Sequence, residues 1–168
     1  RHDRQRLHPV PGAIAKADEL GDLAHPITVN VADEDSVTAM AAEIERVTGG
    51  LALVVSNAGI VRAGSVLEQD LSAFTLSTDI NYVAFFLVTK HLGALLARQH
   101  ETSGAWLTDI IQINSKSGLV GSNKNAAYAG SKAGVGGFVR QLAAEVGRKG
   151  VNVNALSLGT MNNWEGSE

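Results

Sequence analysis

The chain has 168 residues, 45% of them hydrophobic, which is enough for one domain with a substantial core and too little for two. Its net charge of −3 and the lack of a basic run after Arg6 exclude a nucleic-acid footprint. The lack of cysteine excludes disulfides and thiolate metal sites; we expect no metal and a cytoplasmic location. We find no secretory signal, and the apolar stretches look too short for a membrane span.

The first half of the chain predicts strand, helix and strand. Residues 27–31 are a β-branched run and predict a strand, after which Asp33 to Ser36 provide a helix cap. Apolar residues at helical spacing then lead to Gly49 and Gly50, which end the helix. Residues 51–55 are continuously apolar, as expected of a parallel strand buried on both faces.

The second half repeats this alternation. Apolar residues from 80 to 95 predict a long helix that the polar tract 99–104 breaks, and residues 110–113 predict a strand. A further helix carries apolar residues from 135 to 146 and ends near Gly150, before a strand at 151–156. The alternation predicts an α/β fold, a doubly wound parallel sheet between two helical layers, in one domain over residues 1–168.

Polar residues follow the predicted strands at the point where each strand ends. Asn30, Asn57, Ser115 and Gly159 lie at or just beyond four such ends. In open parallel sheets, ligands bind at the carboxyl ends of the strands. These residues are therefore site candidates.

Tyr128 and Lys132 stand four residues apart in Tyr-Ala-Gly-Ser-Lys, so a helix places them on one face. An ammonium beside a phenol favours the phenolate and lowers a phenolic pKa that is ordinarily about 10. The pair is thus suited to proton transfer, although a packed aromatic beside a lysine with an exposed head is the simpler interpretation of the two alone. Likewise, Ser115 alone could be a helix cap.

Two asparagines also have structural alternatives. Asn57, in Ser-Asn-Ala-Gly, could make a turn through its own side chain. Asn81 interrupts an apolar helix and would cost free energy if buried without partners, whereas a surface position would explain it simply.

Together, in this order, these parts resemble the short-chain dehydrogenase/reductase family over about residues 27–160. Residues 56–59 resemble its Asn-Asn-Ala-Gly motif, and Tyr128 with Lys132 its Tyr-x-x-x-Lys motif. The resemblance implies a Rossmann-like three-layer αβα fold and an NAD(P)-dependent oxidoreductase that transfers hydride between nicotinamide and a carbonyl or secondary alcohol. It implies four catalytic residues: Asn81, Ser115, Tyr128 and Lys132.

The resemblance also implies a cofactor site. Asn30 would bond the adenine amino group, Val31 would pack on the adenine ring, and Lys132 would bond the nicotinamide ribose beside Tyr128. The remaining cofactor contacts would come from Asn57, Ala58 and Gly59 on the adenosine side and from Gly159 and Thr160 on the nicotinamide side.

Within the family, residues 111–118 and the pair Leu158-Gly159, where most members have Pro-Gly, are most similar to polyol dehydrogenases. This similarity favours NAD, with NADP as the alternative, and a small carbonyl or alcohol substrate such as a sugar alcohol or its phosphate. Family members usually pair the helices that carry Asn81 and Tyr128, so a homodimer or homotetramer is expected. The alternative is that these helices only cover the sheet.

The sequence departs from the family before Asn30, where no glycine-rich turn is present for the pyrophosphate. We therefore expect an incomplete domain that lacks the first strand and the C-terminal strand, or a domain completed by a partner's strand. The missing turn also keeps open a non-catalytic, dinucleotide-sensing or scaffold relative.

Overall fold

The computed structural model describes residues 11–103 and 108–159, which form a parallel three-stranded sheet with packed helices. The strands are β1 (Leu53–Ser56), β2 (Thr108–Ser115) and β3 (Val151–Leu158). The helices are α1 (Pro11–Leu20), α2 (Glu34–Thr48), α3 (Leu71–Thr78), α4 (Ala84–Ser103) and α5 (Ala126–Val146), with a π-helical segment at Asp79–Val83 and 3₁₀ turns at Gly21–Leu23, Lys116–Gly118 and Gly147–Lys149.

The sheet brings three strand ends to one edge. Its order is β1-β2-β3 with both pairs parallel, so that Ser56 lies opposite Gln112 and Ser115 opposite Leu158. Helical segments connect each strand to the next, which is the α/β architecture that the sequence predicts. The first and C-terminal strands of the predicted fold class are not among the described strands.

Helix α2 begins and ends where the sequence predicts. The Asp33 side chain accepts a hydrogen bond of 2.7 Å from the Ser36 amide, and Glu34 and Asp35 lie in the first turn beside the free N–H groups. At the other end, Gly49 has φ of 70° and ends the helix in the left-handed conformation.

Helices α4 and α5 cover one face of the sheet. Alternate strand residues Val54, Ile110 and Val153 are buried in the same core as residues of these helices. The core residues on α4 and α5 include Phe85, Leu92, Leu96, Val135 and Val139. On the opposite face Leu53, Val55 and Leu156 remain about half exposed, so the part of the chain that the structure describes provides one helical layer against the sheet.

The predicted strand at residues 27–31 is wrong: these residues have no regular secondary structure until the turn at Val31. A parallel strand needs the hydrogen bonds of a neighbouring strand, and no described strand lies beside this segment. Val29 nevertheless packs against the core, which explains the apolar character of the run.

The predicted helix break at residues 99–104 is also wrong up to Ser103, where α4 ends. Gln99 is half-buried, and its side chain accepts a hydrogen bond of 2.8 Å from the Leu51 amide and donates one of 2.7 Å to the Leu51 carbonyl. The polar tract therefore continues the helix because one of its side chains pairs with the backbone that leads into β1.

The helical region Leu71–Thr102 is long and apolar enough to cross a membrane by length and composition alone, contrary to the expectation from the sequence. However, 61% of its most apolar window is buried inside the protein, as expected of a core helix.

Candidate active site

A pocket of about 330 Å³ opens at the carboxyl edge of the sheet. It contains three of the four predicted catalytic residues, and it is lined by Asn57, Gly59, Ile60, Val61, Ile113, Asn114, Ser115, Tyr128, Lys132, Leu158 and Gly159. The structure thus brings together residues from the ends of all three strands and from α5. This placement is the one that parallel strands impose on polar residues at their carboxyl ends.

Tyr128 and Lys132 lie one turn apart on α5, with the lysine Nζ 5.7 Å from the centroid of the tyrosine ring. Tyr128 is half-buried and lines the pocket, and its hydroxyl has no hydrogen-bond partner among the described residues. The hydroxyl is therefore available to a ligand. A tyrosine that served only as a packed aromatic side chain would not need a free hydroxyl in a pocket.

Lys132 is buried with only 4% of its surface exposed, and burial lowers its pKa because a charged amine loses its hydration. Its Nζ donates a hydrogen bond of 2.7 Å to the carbonyl oxygen of Ile113 in β2. That carbonyl also accepts a hydrogen bond of 2.9 Å from the side-chain Nε2 of Gln112, so one backbone oxygen holds two donors. The ammonium is fixed between the sheet and the tyrosine ring.

Ser115 ends β2 and caps the following 3₁₀ turn. Its Oγ accepts a hydrogen bond of 3.2 Å from the Ser117 amide. Because the cap uses Oγ as an acceptor, the hydroxyl proton can still be donated to an oxygen in the pocket. Ser115 can therefore cap the turn and also serve as a catalytic residue.

Asn81 lies in the π-helical segment and is 1% exposed, so the surface interpretation is wrong. Its Oδ1 accepts from the Ile60 amide at 2.8 Å, and its Nδ2 donates to the Ile60 carbonyl at 2.9 Å and to Ser131 Oγ at 3.0 Å. Asn81 therefore connects the loop after β1 to α5. Interruptions of this kind within a helix are common at functional sites.

Gly59 allows this close approach. A Cβ at position 59 would lie 3.2 Å from Asn81 Oδ1 and 3.8 Å from Lys132 Nζ. Asn57, two residues earlier, is exposed, and its side chain makes no hydrogen bond among the described residues, so the turn interpretation is wrong here. The loop after β1 thus presents a free amide and an unobstructed backbone to the pocket.

Sequence reasoning missed three contributors to the site. Ser131 receives the Asn81 hydrogen bond and donates to the Tyr128 carbonyl at 2.8 Å. Its place between Tyr128 and Lys132 in the motif was the available signal. No side-chain pattern could have indicated the backbone groups of Ile60 and Ile113.

The predicted adenine contacts Asn30 and Val31 lie outside this pocket, whereas Asn57 and Gly59, predicted for the adenosine side, line it. Asn30 Oδ1 already accepts a hydrogen bond of 3.2 Å from the Ala32 amide, at the turn before α2. Val31 is half-buried in the same turn, and Ala58 is exposed beside the pocket-lining Asn57. Thr160 lies outside the described residues, whereas Gly159 lines the pocket.

For a dinucleotide cofactor, the pocket offers hydroxyl and ammonium donors. Ser115, Tyr128 and Lys132 supply these donors, and Gly59 and Gly159 line the same pocket without side chains. A glycine-rich turn for the pyrophosphate is absent from the described residues. Nor does any group of three His, Cys, Asp or Glu in this part of the chain form a metal site.

The comparisons with known proteins agree with this geometry. The profile of the family described as short chain dehydrogenase matches residues 5–164. Sorbitol-6-phosphate 2-dehydrogenase of Escherichia coli is 33% identical over 144 residues, covering 85% of this chain and 54% of that relative. A relative from Xanthobacter autotrophicus, named inactive 2-(S)-hydroxypropyl-CoM dehydrogenase 2, is 35% identical over 152 residues, covering 89% of this chain and 64% of its own length.

Among solved structures, the sorbitol-6-phosphate 2-dehydrogenase of Erwinia amylovora matches with a TM-score of 0.81 and 33% identity, over 90% of this chain and 57% of its own. The chain therefore spans about half to two thirds of the length of these relatives. The resemblance to polyol dehydrogenases is confirmed. The chain belongs to the short-chain dehydrogenase family, with the Rossmann-like fold of that family.

Proposed function

We propose that this chain carries the proton-transfer centre of an NAD(P)-dependent oxidoreductase that acts on a carbonyl or a secondary alcohol. The observation that carries the proposal is the Tyr128 hydroxyl, which is unpartnered among the described residues and lies in the pocket with the Lys132 ammonium beside its ring. Nicotinamide, when bound, supplies or accepts the hydride. The protein's own residues must then handle the proton on the substrate oxygen.

Tyr128 donates that proton when a carbonyl is reduced and accepts it when an alcohol is oxidised. Lys132 places a positive charge 5.7 Å from the centre of the Tyr128 ring, where it attracts the negative charge that develops as the proton leaves. Ser115 donates its hydroxyl proton to the substrate oxygen as negative charge develops there. Asn81 acts indirectly, since it holds α5 and the loop after β1 in register.

The similarity to sorbitol-6-phosphate 2-dehydrogenases supports a sugar alcohol or its phosphate as substrate and NAD as the cofactor, with NADP the alternative. Parallel activity assays with NAD and NADP decide between the two. The predicted Asn30, Val31, Asn57, Ala58, Gly59, Gly159 and Thr160 remain our proposed cofactor contacts, and a cytoplasmic location remains part of the proposal.

A groove of about 290 Å³ between α4 and α5 supports the expected homodimer or homotetramer. Phe86 is 44% exposed there and lies near the ring of Phe138, so a second copy could cover apolar surface. A monomeric mass in solution would contradict this assembly.

The test of the function is Tyr128→Phe in the complete encoded protein. We expect turnover to fall roughly 10²–10⁴-fold, the contribution of a positioned acid or base, while the melting temperature is unchanged because the hydroxyl has no partner among the described residues. Tyr82→Phe is the matched control, since Tyr82 packs edge-on against Phe138 and does not line the pocket. Undiminished turnover in Y128F contradicts the proposal.

A non-catalytic relative is the second candidate, favoured by the similarity to a relative named inactive. NADH binding separates the two, measured by fluorescence titration alongside turnover. A dinucleotide sensor binds NADH without oxidising alcohols, whereas a dehydrogenase does both.

A further inference from the structure

Lys116 places an exposed cation at the rim of the pocket. It directly follows Ser115 in the chain, and its Cδ lies 4.0 Å from the position that a Cβ on Gly159 would occupy. Among the described residues its ammonium makes no hydrogen bond or ion pair. The side chain therefore lies against a pocket-lining residue with its charge unused.

The backbone around Lys116 is fixed. Its carbonyl accepts hydrogen bonds from the amides of Leu119 at 2.9 Å and Val120 at 3.0 Å. Ser115 caps the same turn, so the lysine has a defined starting point beside the proposed proton donor to the substrate oxygen. Because its backbone is already fixed, the lysine loses less conformational entropy on binding a ligand than a lysine in a mobile loop would.

The charge of the pocket favours an anion. Its described lining includes no aspartate or glutamate, and the ammonium of Lys132 is already bonded to the Ile113 carbonyl. Lys116 is thus a second positive charge that the proposed proton transfer does not use. A lysine ammonium binds phosphate and carboxylate as a point charge.

We propose that Lys116 binds an anionic group of the substrate, a phosphate ester or a carboxylate, while Ser115 and Tyr128 hold the reacting oxygen. The proposal rests on the dehydrogenase function above and gives it a substrate class: small polyhydroxy compounds that carry one anionic group. Neutral polyols lack this contact and are poorer substrates.

The experiment compares D-sorbitol, D-sorbitol 6-phosphate and D-gluconate as substrates of the complete encoded protein and of Lys116→Gln. We expect the wild type to prefer an anionic substrate and K116Q to lose roughly ten- to a hundredfold in kcat/KM for it, mainly through KM, as expected for one charged hydrogen bond. The loss for sorbitol, which has no anionic group, should be much smaller. The two anionic substrates distinguish phosphate from carboxylate recognition.

Lys116→Arg keeps the charge and should retain most of the preference. Arg148→Gln removes an exposed charge in the 3₁₀ turn Gly147–Lys149, which does not line the pocket, and should behave as wild type. Equal use of neutral and anionic substrates by the wild type would overturn the proposal. So would a K116Q defect that is equal for all three compounds or confined to NADH affinity.

If none of the three compounds is turned over, these polyols are rejected as substrates, and binding then decides the role of Lys116. Calorimetric titration of the NADH-loaded protein with sorbitol 6-phosphate, gluconate and sorbitol provides that measurement. Tighter binding of an anionic compound that K116Q abolishes supports the anion site. Binding that is absent, or equal in wild type and K116Q, rejects it.

Discussion

Gly118 lies directly against the backbone of Lys132. A Cβ at position 118 would be 2.7 Å from the Lys132 carbonyl carbon and 2.8 Å from the Ala133 amide nitrogen, closer than real Cβ contacts allow. The 3₁₀ turn after Ser115 can therefore pack on α5 only because residue 118 has no side chain. This contact sets the distance between Ser115 and the helix that carries Tyr128 and Lys132.

Gly118→Ala tests this contact. The obstructing atoms are backbone and cannot rotate away, so we expect a loss of about 1–3 kcal/mol in the free energy of unfolding, as for other overpacked sites. Catalytic turnover should fall as well, because the turn and α5 must separate. Urea unfolding and steady-state kinetics measure the two effects.

Gly121→Ala is the matched control, since a Cβ at position 121 would have no atom within 4 Å. It should leave both stability and turnover unchanged. If G118A behaved like G121A, the close packing of the turn on α5 would be disproved.

The hydrogen bonds of Asn81 give a second prediction. In Asn81→Leu the new side chain has a similar shape but leaves the amide and carbonyl of Ile60 unpaired. We expect a loss of about 1–3 kcal/mol in unfolding free energy for each buried group. Ser131→Ala removes only the hydrogen bond to Asn81 and that to the Tyr128 carbonyl, and should cost less. Thermal unfolding of both variants provides the comparison.

The double variant shows whether the two side chains act together. Because Asn81 and Ser131 share a hydrogen bond, the two losses in unfolding free energy should sum to more than the loss in the double variant. Strict additivity would show that this bond contributes nothing to stability.

Local spacing predicted the centre of the site, but the contacts that hold it could not be predicted. Tyr128 and Lys132 follow from helical periodicity because both lie on one helix. The Asn81 contacts connect residues that are 21 and 50 positions apart, and such distances carry no periodic signal. The π-helical segment around Asn81 likewise looks like ordinary helix in the hydrophobic pattern.

In the fold, too, local signals could be predicted and long-range contacts could not. Helix α2 was predicted because its cap residues Asp33 and Gly49 are local signals. Residues 27–31 have the composition of a strand but no described neighbour to pair with, and a strand depends on that neighbour. Gln99 belongs to a polar tract that predicts a loop, whereas in the structure it lies within α4 and pairs with Leu51, 48 positions earlier.

Gln99→Met tests that contact. Methionine fills a similar volume but leaves the amide and carbonyl of Leu51 unpaired, so we expect a loss of about 1–3 kcal/mol in unfolding free energy. Gln141→Met, at an exposed position on α5, is the matched control and should be neutral. Amide hydrogen exchange at Leu51 should accelerate in Q99M alone; unchanged protection there would contradict the assignment.

The buried ammonium of Lys132 predicts how stability depends on pH. Burial lowers its pKa in the folded protein below the ordinary 10.5, so between the two pKa values the unfolded chain binds more protons than the folded protein. The free energy of unfolding therefore increases as pH rises through this window, which means that the folded protein becomes more stable. The increase is complete above the pKa of the unfolded chain. Lys132→Met removes this dependence, while Ile113 keeps its hydrogen bond from Gln112.

Urea unfolding of wild type and K132M across the alkaline range measures the difference. We expect K132M to gain most over wild type at neutral pH, with its advantage shrinking as pH approaches the ordinary lysine pKa, and turnover to be lost throughout. Lys149→Met, which removes an exposed amine in the 3₁₀ turn after α5, should run parallel to wild type. If the unfolding free energies of K132M and wild type changed with pH in parallel, burial of the Lys132 amine would not destabilise the folded protein.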